Sequence, residues 1–340
     1  MLTIDLEGAR ALLAWLERTR QGRAGGEEEL EAVLAANAFA VDFYGSWDGC
    51  SREAVVQAIR CFDQPEQVPP GLIPSRLAEG LRQAAGEIDL LEGRMAWAGE
   101  IDACTIAGRI LAALPPGTPL DATIHITVDA LNNAFVSGRE MGVSLLKGMD
   151  DPQTFADAVA HELHHVGSRY WAEQDAVLQR LAAERSGRAI AVLHVQNLLS
   201  EGMANFYLTP GYVFRASPQE PPADPFQAKL ARLQRDENKL FAQAADILAQ
   251  CLEPGAAYEA CWEAVKAVAF DMEEALLPAG HYLGARMVQT MDGVHPRERI
   301  VGCMQRLGEF LPLYDEAARR AGGYVFDAQL AERFARLWEG

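Results

Sequence analysis

Three of the seven histidines in this 340-residue chain fall within five positions, in the stretch DDPQTFADAVAHELHHVGSRYW at residues 150–171. On a helix, His161 and His165 lie one turn apart on the same face, and His161 and His164 are also neighbours. Spacing alone therefore allows two pairs of imidazole ligands. Glu162, directly after His161, completes the pattern H-E-x-x-H. In that pattern two histidines hold Zn²⁺, and the glutamate takes a proton from the water that the metal activates. Glu162 thus selects His161 with His165, and His164 falls on an x position. The competing reading is a histidine-rich surface turn, because the bare pattern arises by chance in roughly one chain in a hundred of this length.

A catalytic zinc site takes a third protein ligand and leaves a fourth position open. A histidine continuing the motif is excluded: Gly167 comes one place too early, and Trp171 occupies the histidine position. Glu173, Asp175 and Glu184 lie in a polar stretch and read as a solvated face. Glu201 differs. It sits in the middle of AIAVLHVQNLLSEGMANFYL, an otherwise apolar helical stretch, where a carboxylate is costly to bury unless a positive group meets it. Its alternative is an exposed residue near a kink at Gly202. Asn205, one turn on, is spaced to orient a ligating histidine through its other ring nitrogen. His194, two turns before Glu201, reads as a structural histidine or part of the site wall, since a three-histidine site would leave Glu201 unexplained.

Elements must hold these groups. Asp151-Pro152 is a helix start, with Asp at the N-cap and Pro at the first helical position. Phe155, Ala158, Val159, Leu163 and Val166 give an apolar side, so an amphipathic helix is expected to about Gly167. Residues 1 to about 113 read mostly as helices, with Leu6, Ala9, Leu12, Leu13 and Leu16 at helical spacing. After LPPGTPLD the period changes to two: Ile124, Ile126 and Val128 alternate with His125 and Thr127. NAFVSG and EMGVSLLKG are two further strand candidates, which makes a small sheet. Beyond residue 152 the chain is again helical, and 214–226 reads as a linker or a loop. His125, on a strand's polar face, and His295, before Pro296, read as structural.

A formal net charge of −18 with only four lysines argues against a nucleic-acid partner. No apolar run approaches the ~20 residues of a membrane span. The N-terminal stretch lacks the features of a signal peptide. The six cysteines are well separated, with no C-x-x-C pair, which fits reduced thiols in a cytoplasmic protein.

HELHH followed about forty residues later by SEGMAN resembles the gluzincin metallopeptidases, the thermolysin-like clan. PAGHYLGARMVQTM is similar to an A-G-Y-x-x-G-x-x-I-V stretch in bacterial families of predicted zinc-dependent proteases. Their Tyr falls at His281 here, with Tyr282 next to it. The clan's second-helix pattern ends in Asp where this chain has Asn205. The resemblance implies an α+β, mostly α fold with a zincin-like core: a small sheet and the H-E-x-x-H helix. The expected regions are an N-terminal helical region (1–118), the catalytic core (119–213) and a C-terminal helical subdomain completing the cleft (214–340). It further implies a sheet edge that pairs with extended substrate, for which Met141 to Leu146 is the expected strand. The expected function is hydrolysis of peptide bonds in a peptide or protein substrate. One Zn²⁺ would be held by His161, His165 and Glu201, with Glu162 as general base and His281 or Tyr282 stabilising the oxyanion. The alternative is a non-catalytic zinc-binding, sensing or interaction protein on a degenerate peptidase fold.

Overall fold

The computed structural model describes residues 1–23, 25–214, 225–270 and 278–339. The linker expected at 214–226 thus lies almost wholly outside the described residues. The fold is mostly helical with one small sheet, the α+β, mostly α class that the sequence predicts. The chain folds as two compact units, Met1–Gly108 with Leu120–Val166, and Arg109–Pro119 with Gly167–Gly340.

Among the described residues, the first unit carries all four strands: β1 (Leu2–Asp5), β2 (Ala122–Thr127), β3 (Ala134–Ser137) and β4 (Glu140–Ser144). Around them lie α1 (Glu7–Arg20), α2 (Glu27–Ala36), α3 (Ala38–Gly45), α4 (Arg52–Arg60), α5 (Leu72–Gly86) and α6 (Ile88–Ala98). α7 (Ala103–Leu111) follows them. The predicted face of α1 is indeed buried, from Leu6 through Leu16. β2 keeps the alternation seen in sequence, with Ile124 and Ile126 buried and Thr123 and His125 half-buried.

The sheet corrects two expectations. Its order is β1-β2-β4-β3, with β1–β2 and β2–β4 parallel and β3–β4 antiparallel. LTID near the N-terminus is therefore a strand, in a region where only helices were singled out. Met1 donates from its amino group to Leu120 O at 2.7 Å, and His125 bridges Asp5 and Glu140 at 3.1 Å each, tying β1, β2 and β4 together. The second correction concerns the edge. The Met141–Leu146 stretch begins in β4, which is an interior strand: Met141 to Ser144 are all buried, and both sides are paired. Apolar residues filling consecutive positions belong to a strand covered on both faces. The edges are β1 and β3, and β3 is half-exposed. Gly138, at φ +63°, makes the tight return from β3 to β4.

α8 (Pro152–Gln174) is a 23-residue helix. Asp151 Oδ1 accepts from the backbone N–H groups of Gln153 (2.8 Å) and Thr154 (2.9 Å), the N-cap that the sequence predicts. The helix runs seven residues past its expected end at Gly167. That glycine is no terminator: a Cβ there would lie 2.3 Å from Leu114 Cδ1, so the missing side chain leaves room for the leucine.

The second unit continues with α9 (Ala176–Ala183), α10 (Gly187–Met203), α11 (Pro210–Phe214), α12 (Pro225–Arg235), α13 (Glu237–Cys251) and α14 (Tyr258–Ala269). It ends with α15 (Ala279–Asp292), α16 (Arg297–Val301), α17 (Phe310–Ala321) and α18 (Ala328–Ala335). α10 is buried nearly all round and packs against α15. At their crossing a Cβ on Gly202 would lie 2.4 Å from Gly284 O, and one on Gly284 would lie 2.2 Å from Leu198 O. Gly202 is thus a point of backbone contact and not a kink toward solvent. All six cysteines are free thiols. No helix among the described residues is long and apolar enough to cross a membrane.

Candidate metal centre

α8 brings the two expected histidine ligands together. His161 Nε2 and His165 Nε2 are 3.2 Å apart, with their rings nearly perpendicular at 81°. Two nitrogens bound to one tetrahedral ion at 2.0–2.1 Å would be about 3.3 Å apart, so the pair already has the separation that zinc requires. His164 is fully buried, while its two neighbours in the motif are partly exposed. It belongs to the helix's packed side. Glu162 is partly exposed.

α10 presents the carboxylate. The side chain of Glu201 is 12% exposed, as the apolar run around it predicts. Asn205 is fully buried, and its amide donates to Glu201 O (2.9 Å) and to Glu201 Oε2 (3.3 Å). The expected partner of Asn205 was a histidine; here its N–H donors steady the glutamate. Immediately after α10 the backbone opens into a π-helix, Ala204–Leu208, where the Thr209 N–H reaches back five residues to Ala204 O at 3.1 Å. Such wide turns recur at functional sites. Among the described residues, His161, His165 and Glu201 each offer one ligand atom, and these atoms lie within 4.8 Å of one another. Two imidazoles and a carboxylate are a zinc donor set, so these residues could hold a metal ion.

The close α10–α15 crossing delivers a further side chain. His281 Nδ1 lies 3.2 Å from Glu201 Oε2. Tyr282, the other oxyanion candidate, turns elsewhere: it is 1% exposed, and its hydroxyl donates to Glu237 Oε2 at 2.5 Å. Arg286 binds the same carboxylate, through Nε to Oε2 (2.7 Å) and Nη2 to Oε1 (3.3 Å). Burial, and then the charge of Glu237, raise the Tyr282 pKa well above the ordinary phenol range.

Tyr212 was not singled out from the sequence. Tyr212 is 38% exposed, and partial burial, then the negative charge of Glu201, push its pKa up to about 12. The only signal was its place in the break LTPGY, one helical segment after Glu201. His194 is buried as expected, and neither ring nitrogen has a hydrogen-bond partner; burial alone drops its pKa to about 4. His295 is buried too, with Nε2 3.3 Å from Leu313 O.

No curated protein and no solved structure matches the chain. Residues 101–322 match the model of a family described as "Putative zinc dependent peptidase (DUF5700)", a segment that contains His161, His165, Glu201 and His281. The match spans well over half of the sequence, and the chain belongs to this family.

Proposed function

We propose that the protein is a zinc metallopeptidase that hydrolyses peptide bonds with Glu162 as general base, on a core of the gluzincin type. The observation that carries this reading is the convergence of one ligand atom each from His161, His165 and Glu201 within 4.8 Å. The 3.2 Å separation of the two imidazole nitrogens supports zinc as the ion, and a single ion is what three protein ligands serve. Bound there, zinc supplies a Lewis acid that makes water a nucleophile near neutral pH.

The chain's own groups do the rest. Glu162 follows a ligand on the same helix, accepts a proton from the attacking water and passes it to the leaving amine. Glu201 is held by Asn205 at its backbone and its carboxylate, which fixes the third ligand before substrate arrives. His281 is a donor beside Glu201, suited to the oxygen on which charge develops. The presence of Glu162 favours an enzyme over a zinc scaffold, which has no need of a base at that position.

A peptide-library assay on wild type and Glu162→Gln tests the reading. The variant should keep its metal and lose turnover by about 10²–10⁴-fold. Equal turnover in the two proteins would exclude Glu162 as the base.

A further inference from the structure

Beside α15 the second unit holds a cavity of about 400 Å³ whose wall is rich in hydrogen-bond donors. Among the described residues, Arg235, Arg286, Gln234, Asn238, Tyr282 and Phe214 line it, with Glu237 as the one carboxylate. Glu237 offers little negative potential to a ligand, because Arg286 grips both of its oxygens and Tyr282 donates to one of them. Those bonds also fix Arg286 and Tyr282 in place. Arg235 remains: its ion pair is with Asp236, the next residue, at 3.5 Å, and its side chain is 70% exposed. With Arg286 and Glu237 paired, the described wall keeps one net positive charge, that of Arg235, in a chain whose net charge is −18. Tyr282 directly follows His281, which touches Glu201, so α15 joins the cavity to the candidate zinc ligand.

We propose that this cavity is a substrate-binding subsite that receives a carboxylate of the peptide, with Arg235 as the residue that selects it; the proposal rests on the metallopeptidase reading. A planar guanidinium matches a carboxylate in shape and charge, and the amide of Asn238 offers further N–H donors. The volume lies within the range of small-ligand pockets and accommodates the end of a peptide chain. The carboxylate comes either from the peptide's C-terminus or from an acidic side chain, and the test separates the two.

The experiment measures fluorescence anisotropy of N-terminally labelled hexapeptides on full-length Glu162→Gln protein, which binds without cleaving. The three probes are a neutral peptide with a free C-terminus, its C-terminal amide, and that amide carrying one glutamate. The expected result is that at least one carboxylate-bearing peptide binds about three- to tenfold tighter than the neutral amide. Preference for the free terminus assigns the C-terminal carboxylate, and preference for the third probe assigns a side chain. Adding Arg235→Ala should abolish the preference, and Arg235→Glu should reverse it; Arg235 is exposed, so both variants fold. Equal affinity of all three probes, absence of binding, or a preference that survives Arg235→Ala overturns the proposal. Zinc content is read on the same samples. A preserved carboxylate preference in protein that holds no zinc defeats the metal reading alone, and a missing preference in zinc-bearing protein defeats this one alone.

Discussion

Replacing Gly284 by alanine tests how the helix crossing holds the site. A Cβ at Gly284 would sit 2.2 Å from Leu198 O, 2.9 Å from Gly202 N and 3.1 Å from Gly202 Cα. All three obstacles are backbone atoms of α10, so no side chain can rotate away. Ordinary contact begins near 3.4 Å, which requires α10 and α15 to part by about 1.2 Å. The 3.2 Å approach of His281 to Glu201 would then stretch to about 4 Å, beyond hydrogen-bonding reach. Overpacking of this kind costs about 1–3 kcal/mol, and about 2 kcal/mol corresponds to a fall in Tm of about 4–8 °C. Gly93, in α6, has nothing within 4 Å of its added Cβ; Gly93→Ala should stabilise by about 0.5–1 kcal/mol through helix propensity. Thermal unfolding and peptide turnover measured on both variants decide the matter. A Gly284→Ala protein that melts with wild type and keeps its kcat/KM would refute the claim that this crossing positions the site.

Further outcomes are expected elsewhere. His194 is buried neutral with its pKa lowered to about 4, so its contribution to stability is complete above about pH 6.5 and is lost as pH falls toward 4. His194→Met should flatten that acid limb by up to about 3 kcal/mol in urea titrations, and an unchanged slope would count against the assignment. Asp315 behaves in the opposite sense: burial raises its pKa to about 6, so the stability of the protonated form is full below about pH 3.8 and is lost as pH rises through 6. Asp315→Asn, whose Oδ1 can still accept from the Phe326 N–H, should gain about 1–3 kcal/mol at pH 8 and show no gain at pH 3.5. His281→Ala should lower kcat about a hundredfold with zinc retained. Tyr282→Phe should lower kcat less and instead cost about 1–2 kcal/mol of stability, because Glu237 loses a donor; a ranking in the other order would return the oxyanion role to Tyr282.

What could be read from the sequence was local. The Asp151 cap, the period-two strand at Ala122–Thr127 and the His161–His165 pairing each depend on residues within a turn or a strand of one another. Glu201 was legible because a carboxylate inside an apolar helix demands a reason. What escaped depends on partners far along the chain. LTID is too short to announce its period, and it becomes a strand by pairing with residues about 120 positions away. The sheet edge could not be placed, because strand order is a property of pairing and not of any one strand. His281 was only slightly preferred to Tyr282 in sequence, because Glu237, which takes the tyrosine's hydroxyl, lies 45 residues upstream. Gly167 was read as a helix end and Gly202 as a kink, yet they mark close approach to Leu114 and to the backbone at Gly284.

The central claim is that His161, His165 and Glu201 hold one zinc ion. Elemental analysis of purified wild type and Glu201→Ala, each dialysed against the same trace zinc, tests it most directly. About one zinc per chain is expected in the wild type, by the three-ligand rule, and a large loss in the variant, with fold retained by circular dichroism. A wild type without zinc, or a Glu201→Ala protein that keeps its zinc undiminished, would contradict it.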